Sequence, residues 1–140
     1  MSETQRLLII DDDPDFVAAI KATLERGGYA VDAAYDPKSG FDRLEKSEYD
    51  LLLLDIMMGR GAEGLMIARK LRKDPKLSQM PVLIITGLRE QISFLFPGEA
   101  VHPHFLPIDE LVEKPLEPQF LLDRVAALLK LAEDKKAKKA

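Results

Sequence analysis

Three short aliphatic runs constrain this chain more than any other feature: Leu7-Leu8-Ile9-Ile10, Leu51 to Leu54, and Val82-Leu83-Ile84-Ile85. Each is continuous rather than alternating and is closed by a polar side chain, Asp11, Asp55 and Thr86 in turn. An alternating strand puts one face in water, whereas a continuous run needs both faces covered, as in the parallel sheets of α/β proteins. Apolar residues at helical spacing lie between and after the runs: Phe16, Ile20 and Leu24; Phe41 and Leu44; Ile67, Ala68 and Leu71; then Leu121, Val125, Leu128, Leu129 and Ala132. Asp13-Pro14 and Asp36-Pro37 each offer an N-cap followed by proline at the first helical position, and Gly27-Gly28 close the first helix. Tyr29–Tyr35 reads as a second strand and Leu111-Val112, just before Lys114-Pro115, as a short fifth.

Strict alternation of strands and helices implies a doubly wound α/β domain, with right-handed crossovers covering both faces of a parallel sheet. For five strands the order 2-1-3-4-5 is expected, and ligands bind beyond the carboxyl ends of strands 1 and 3, where the winding reverses. The 140 residues suit one domain over residues 1–132, burying roughly two-thirds of the unfolded surface. Residues 133–140, EDKKAKKA, are expected to fray as a disordered, lysine-rich tail. No cysteine is present, which excludes disulfides, zinc-thiolate sites, iron–sulfur clusters and cysteine nucleophiles. Apolar runs this short predict no spanning helix, and the polar Met1–Arg6 predicts no secretory signal, so a cytoplasmic protein away from membranes is expected. A net charge of -4 argues against direct nucleic-acid binding.

In the expected strand order the chemistry converges on one edge. Asp11 and Asp12 leave strand 1, Asp55 ends strand 3, Thr86 ends strand 4 and Lys114 ends strand 5. Three carboxylates in one place stay ionised together only if a cation sits among them. With oxygen ligands alone on offer, Mg²⁺ is favoured over zinc or copper, and phosphate oxygens complete its octahedron. An aspartate is a competent nucleophile toward phosphorus, and such transfer is chiefly positioning and charge neutralisation. In this arrangement Asp55 attacks, Asp11 and Asp12 hold the metal, Thr86 donates to one phosphoryl oxygen and Lys114 pairs with another. Asp13 and Asp15 have a simpler reading, as cap and first-turn charge of the first helix.

The segments IIDDDPDF, YDLLLLDIMM, KLRKDPKLSQMPVLIITG and EKPLEPQFLLDRV, in that order and spacing, resemble the receiver domain of two-component response regulators from about Arg6 to Ala132. The resemblance implies a flavodoxin-like fold whose aspartate takes a phosphoryl group from a sensor histidine kinase or a histidine phosphotransfer protein. It matches the Mg²⁺-binding acids to Asp11 and Asp12, the phosphoacceptor to Asp55, a metal-binding main-chain carbonyl to Met57, the switch hydroxyl to Thr86, and a lysine followed by a cis-prone proline to Lys114-Pro115. The 140-residue length leads to the expectation of a stand-alone receiver acting on a separate output protein, and the resemblance gives homodimerisation as a further option through the face of the fourth helix, fifth strand and fifth helix.

The chain departs from the family pattern in three places. After the acceptor it reads Met58-Gly59-Arg60-Gly61, without the usual proline, which predicts a more mobile loop. Thr86 and Lys114 stand 28 positions apart, further than usual, and Phe94, Phe96, Pro97, Pro103, Phe105 and Pro107 between them predict an irregular or shortened helix and a loop. Leu111 occupies the position of a switch aromatic, for which Phe105 is the nearest substitute. The Met57 side chain is expected to hinder hydrolysis of the phosphorylated form. His102 and His104 read as ordinary loop residues, and Glu63-Gly64 as the start of the third helix. Two other functions compete: a phosphorylation-independent adaptor of the same fold, favoured by Gly59 and Leu111, and a small Mg²⁺-dependent phosphohydrolase, disfavoured by the lack of a cap or an additional general base.

Overall fold

The computed structural model describes residues 4–55, 63–86, 110–114 and 116–139. Five strands, β1 (Arg6–Ile10), β2 (Ala30–Ala34), β3 (Leu51–Asp55), β4 (Val82–Thr86) and β5 (Glu110–Glu113), form one parallel sheet in the order β2-β1-β3-β4-β5. Helices α1 (Pro14–Arg26), α2 (Pro37–Lys46), α3 (Glu63–Lys73) and α4 (Pro118–Lys139) cover it. This is the flavodoxin-like arrangement expected from the sequence.

Continuous aliphatic runs become strands with two buried faces. Leu8, Ile10, Leu52, Leu54 and Ile84 point to one side, under α2 and α3 with Leu44, Ile67 and Leu71. Leu7, Ile9, Leu51, Leu53, Leu83 and Ile85 point to the other, under α1 and α4 with Ile20, Leu24, Leu121 and Val125. Local chemistry sets the helix ends. The Asp13 carboxylate accepts from Asp15 N at 3.1 Å and Phe16 N at 3.2 Å, with Pro14 behind it at the first helical position. Asp36 does the same for α2, accepting from Ser39 N at 2.8 Å. α1 stops at Gly27, and Gly28 adopts φ 98°, which glycine reaches without a steric penalty. Gly40 is required for another reason: a Cβ there would stand 2.8 Å from Ile10 Cγ1, so the glycine lets α2 approach β1.

α4 runs on to Lys139, past the point where the sequence suggests a fraying tail. Alanine, glutamate and lysine are strong helix formers, so EDKKAKK prolongs a packed helix instead of leaving it. Among the described residues no helix is long and apolar enough to cross a membrane.

Candidate functional site

Asp11 is the first residue beyond β1, and Asp55 is the last of β3. The two strands pair in register through Ile10 and Leu54, so one further step brings Asp11 beside Asp55. Both are buried, with exposures of 2% and 5%, while Asp12 faces solvent. One carboxylate oxygen from each of the three lies within 4.8 Å of the others. Lys114, directly after β5, reaches into this group: its Nζ is 3.0 Å from Asp11 Oδ2 and 3.7 Å from Asp55 Oδ2. Beneath the same ammonium lies the Phe16 ring, 4.1 Å away at its centroid.

Asp11 is anchored at both ends. Its amide donates to Ala34 O at 3.1 Å, tying the strand exit to β2, and its Oδ1 accepts from Asp13 N at 2.9 Å. Among the described residues, three carboxylates meet one ammonium in this cluster. A donor set made of carboxylate oxygens, two of them on buried residues and one at the solvent edge, fits a hard divalent cation that keeps part of its water shell. Asp11, Asp12 and Asp55 would hold it.

Thr86 closes β4 and pairs with Glu113, the residue before Lys114, which puts its backbone at the same sheet edge. Met57, Pro115, His102, His104 and the aromatic and proline residues between Thr86 and Lys114 lie outside the described residues. Leu111 lies in β5. A cleft of about 570 Å³ opens between α2 and α3, lined by Phe41, Met66, Ile67 and Lys70 among others, and none of the acidic trio lines it. The carboxylates instead gather at the carboxyl ends of the strands, with Asp12 at the solvent edge.

A second charged cluster, toward the amino ends of β1 and β3, is structural. The Tyr49 hydroxyl donates to Asp32 Oδ2 at 2.6 Å, and Arg6 and Arg43 stand 3.2 and 3.8 Å from the same oxygen. The hydrogen bond from Tyr49, aided by both guanidiniums, holds the Asp32 carboxyl below its ordinary value, and burial raises the Tyr49 hydroxyl. Sequence reasoning placed Phe16 in the core stripe of α1 and missed that its ring also faces Lys114. The available signal was an aromatic residue in the first helical turn after an acidic strand exit.

A doubly wound parallel sheet carrying an acidic trio and a lysine at its carboxyl edge defines a flavodoxin-like domain with a cation-ready carboxylate site. The chain belongs to the response regulator receiver domain family, which residues 7–126 match, and hence to two-component signal transduction. It is 32% identical to the DNA-binding dual master transcriptional regulator RpaA of Synechocystis sp., across 89% of this chain and 49% of that protein. It is 28% identical to the alkaline phosphatase synthesis transcriptional regulatory protein PhoP of Bacillus subtilis, across 92% and 50%. The chain thus spans about half the length of these curated relatives. Among solved structures, a CheY-like response regulator receiver domain protein from Methanospirillum hungatei is 26% identical, with a TM-score of 0.81 over 95% of this chain and 99% of that one.

Proposed function

We propose that this domain accepts a phosphoryl group on Asp55, in a Mg²⁺-dependent reaction, from a phosphohistidine of a sensor histidine kinase or a histidine phosphotransfer protein. The observation that carries the proposal is the placement of Asp55 within 4.8 Å of Asp11 and Asp12 oxygens and 3.7 Å from the Lys114 ammonium. An Asp55 oxygen attacks phosphorus, a P–O bond forms, the P–N bond to the donor imidazole breaks, and the imidazole nitrogen leaves with the electron pair. Bound Mg²⁺ would neutralise charge on the phosphoryl oxygens and on the carboxylates that face them. Asp11, Asp12 and Asp55 would hold the cation, with the Met57 carbonyl as a further ligand. Lys114 pairs with a phosphoryl oxygen, and Thr86 donates to another and couples occupancy to the interaction surface read by an output protein. The domain is a stoichiometric acceptor rather than a turnover enzyme, acting in the cytoplasm where ATP-dependent kinases are phosphorylated.

The test is incubation with Mg²⁺ and phosphoramidate followed by intact-mass measurement. A single phosphoryl adduct is expected, absent without divalent cation and absent in Asp55→Asn. An unmodified wild-type protein would support the adaptor reading, and sustained phosphate release at high turnover would support the hydrolase.

A further inference from the structure

We infer that Phe16 is a positioning residue: its ring face holds the Lys114 ammonium at the carboxylate cluster when a divalent cation takes Asp11. The inference rests on the Mg²⁺-dependent reading above. Both Asp11 oxygens are already engaged, Oδ1 by Asp13 N at 2.9 Å and Oδ2 by Lys114 Nζ at 3.0 Å. A cation arriving at Asp11 competes with both contacts and repels the ammonium, which on its flexible four-carbon stem yields more readily than a backbone amide fixed in a helix cap. Once displaced, the ammonium retains two attractions, Asp55 at 3.7 Å and the Phe16 ring at 4.1 Å. The two respond differently to the incoming charge. Asp55 shares its negative charge with the cation, whereas the attraction of an aromatic face for an ammonium comes from the ring quadrupole and stays in place.

The ring is well fixed for this role. Phe16 is half-buried against the apolar layer between the sheet and α1 and α4, and its amide donates to Asp13 Oδ1 at 3.2 Å. The contacts form a closed circuit: Asp11 accepts from Asp13, Asp13 accepts from Phe16, Phe16 underlies Lys114, and Lys114 returns to Asp11. Leucine at position 16 would fill much of the same apolar space and offer no quadrupole. Losing the ring should thus have two opposite effects. Without the ring the displaced ammonium is free to leave the cluster and no longer repels the bound cation, so Mg²⁺ binds more tightly by roughly two- to fivefold, the range of an exposed to partly buried cation–π contact. Phosphoryl transfer at saturating Mg²⁺ slows by a similar factor, because the lysine is no longer held where it meets the phosphoryl oxygen.

The experiment uses the full chain as wild type, Phe16→Leu and Phe16→Tyr, each also combined with Lys114→Met. Mg²⁺ dissociation constants come from calorimetry, phosphoramidate rates from intact mass, and unfolding midpoints from thermal melts. Tighter Mg²⁺ binding with slower transfer in Phe16→Leu is expected, with wild-type values in Phe16→Tyr and no effect of Phe16→Leu on Mg²⁺ binding in the Lys114→Met background. Unchanged Mg²⁺ affinity in Phe16→Leu, or an equal shift in the Lys114→Met background, overturns the role of Phe16 and leaves the phosphoacceptor reading intact. Wild-type protein that binds no Mg²⁺ overturns both.

Discussion

Replacing Asp55 with asparagine should stabilise the cation-free fold while abolishing its chemistry. At an effective dielectric constant of about 20, two unit charges 4.8 Å apart interact by about 3.5 kcal/mol, so Asp11 repels Asp55 by at least that much. Lys114 at 3.7 Å returns about 4.5 kcal/mol on the same scale. Repulsion from Asp12, reduced by its exposure to solvent, brings this balance to about zero or slightly unfavourable. Added to these three pairs is the desolvation of a carboxylate only 5% exposed, which costs several kcal/mol even after relaxation. Asparagine keeps the shape and removes that cost. After allowance for the lost lysine pairing, a net gain of about 1–3 kcal/mol is expected, or roughly 3–10 °C in midpoint for a chain of this size. Thermal melts in chelator and in saturating Mg²⁺ read both parts. Wild type should gain about 2.7 kcal/mol at a Mg²⁺ concentration of 100 times the dissociation constant, and Asp55→Asn much less. An Asp55→Asn midpoint in chelator equal to or below wild type would refute the claim that the site is electrostatically frustrated.

Gly40→Ala should destabilise the fold by about 1–3 kcal/mol, because overlap with Ile10 outweighs the helix-propensity gain of about 1 kcal/mol; a higher urea midpoint would show that α2 can move off β1. Asp13→Ala removes the α1 cap and should cost about 1 kcal/mol by denaturant titration. It should also slow phosphorylation, since losing the cap loosens the backbone at residue 13, whose amide orients Asp11. Tyr49→Phe removes a hydrogen bond to a carboxylate and should cost about 1 kcal/mol at neutral pH. The Asp32 carboxyl is depressed in the fold, so the stability it contributes is present above the ordinary value of 3.8 and lost as pH falls through the lower folded value. The difference between wild type and Tyr49→Phe in urea midpoint should therefore shrink below pH 3.8, and a constant difference would contradict this account.

Much of the architecture was legible because burial on two faces writes itself into sequence as uninterrupted aliphatic residues. The four-residue runs ending at Asp11, Asp55 and Thr86 announced strands, their polar ends announced an edge, and Asp-Pro pairs announced helix starts that the caps at Asp13 and Asp36 realise. The convergence of Asp11, Asp12, Asp55 and Lys114 followed from strand order alone. Two things did not. Phe16 satisfies the helical stripe of α1 and faces Lys114 with the same ring, and a one-dimensional pattern assigns a side chain to only one neighbour. The helical continuation of α4 to Lys139 was not legible because a charged, lysine-rich segment has the composition of a solvated tail and of a helix alike.

The frustrated site and the fold are products of one constraint. Side chains alternate between two cores, so a one-residue slip of β3 against β1 would exchange every residue of Leu51–Leu54 between the α2/α3 layer and the α1/α4 layer. That penalty pins Ile10 opposite Leu54, and with it the first polar residue beyond β1 against the last of β3. Like charges side by side on neighbouring strands oppose pairing, yet two aliphatic layers hold the register regardless. The carboxylates sit close together because apolar packing elsewhere fixes where the strands end, and the cation deficit that results creates the demand for a divalent metal. Substitutions that loosen the register, even buried ones remote from Asp55, should therefore weaken Mg²⁺ binding before they unfold the domain. Leu53→Ala, at the centre of β3, is the direct trial: Mg²⁺ affinity should fall while the protein is still folded, and unchanged affinity in a destabilised but folded variant would separate the site from the register.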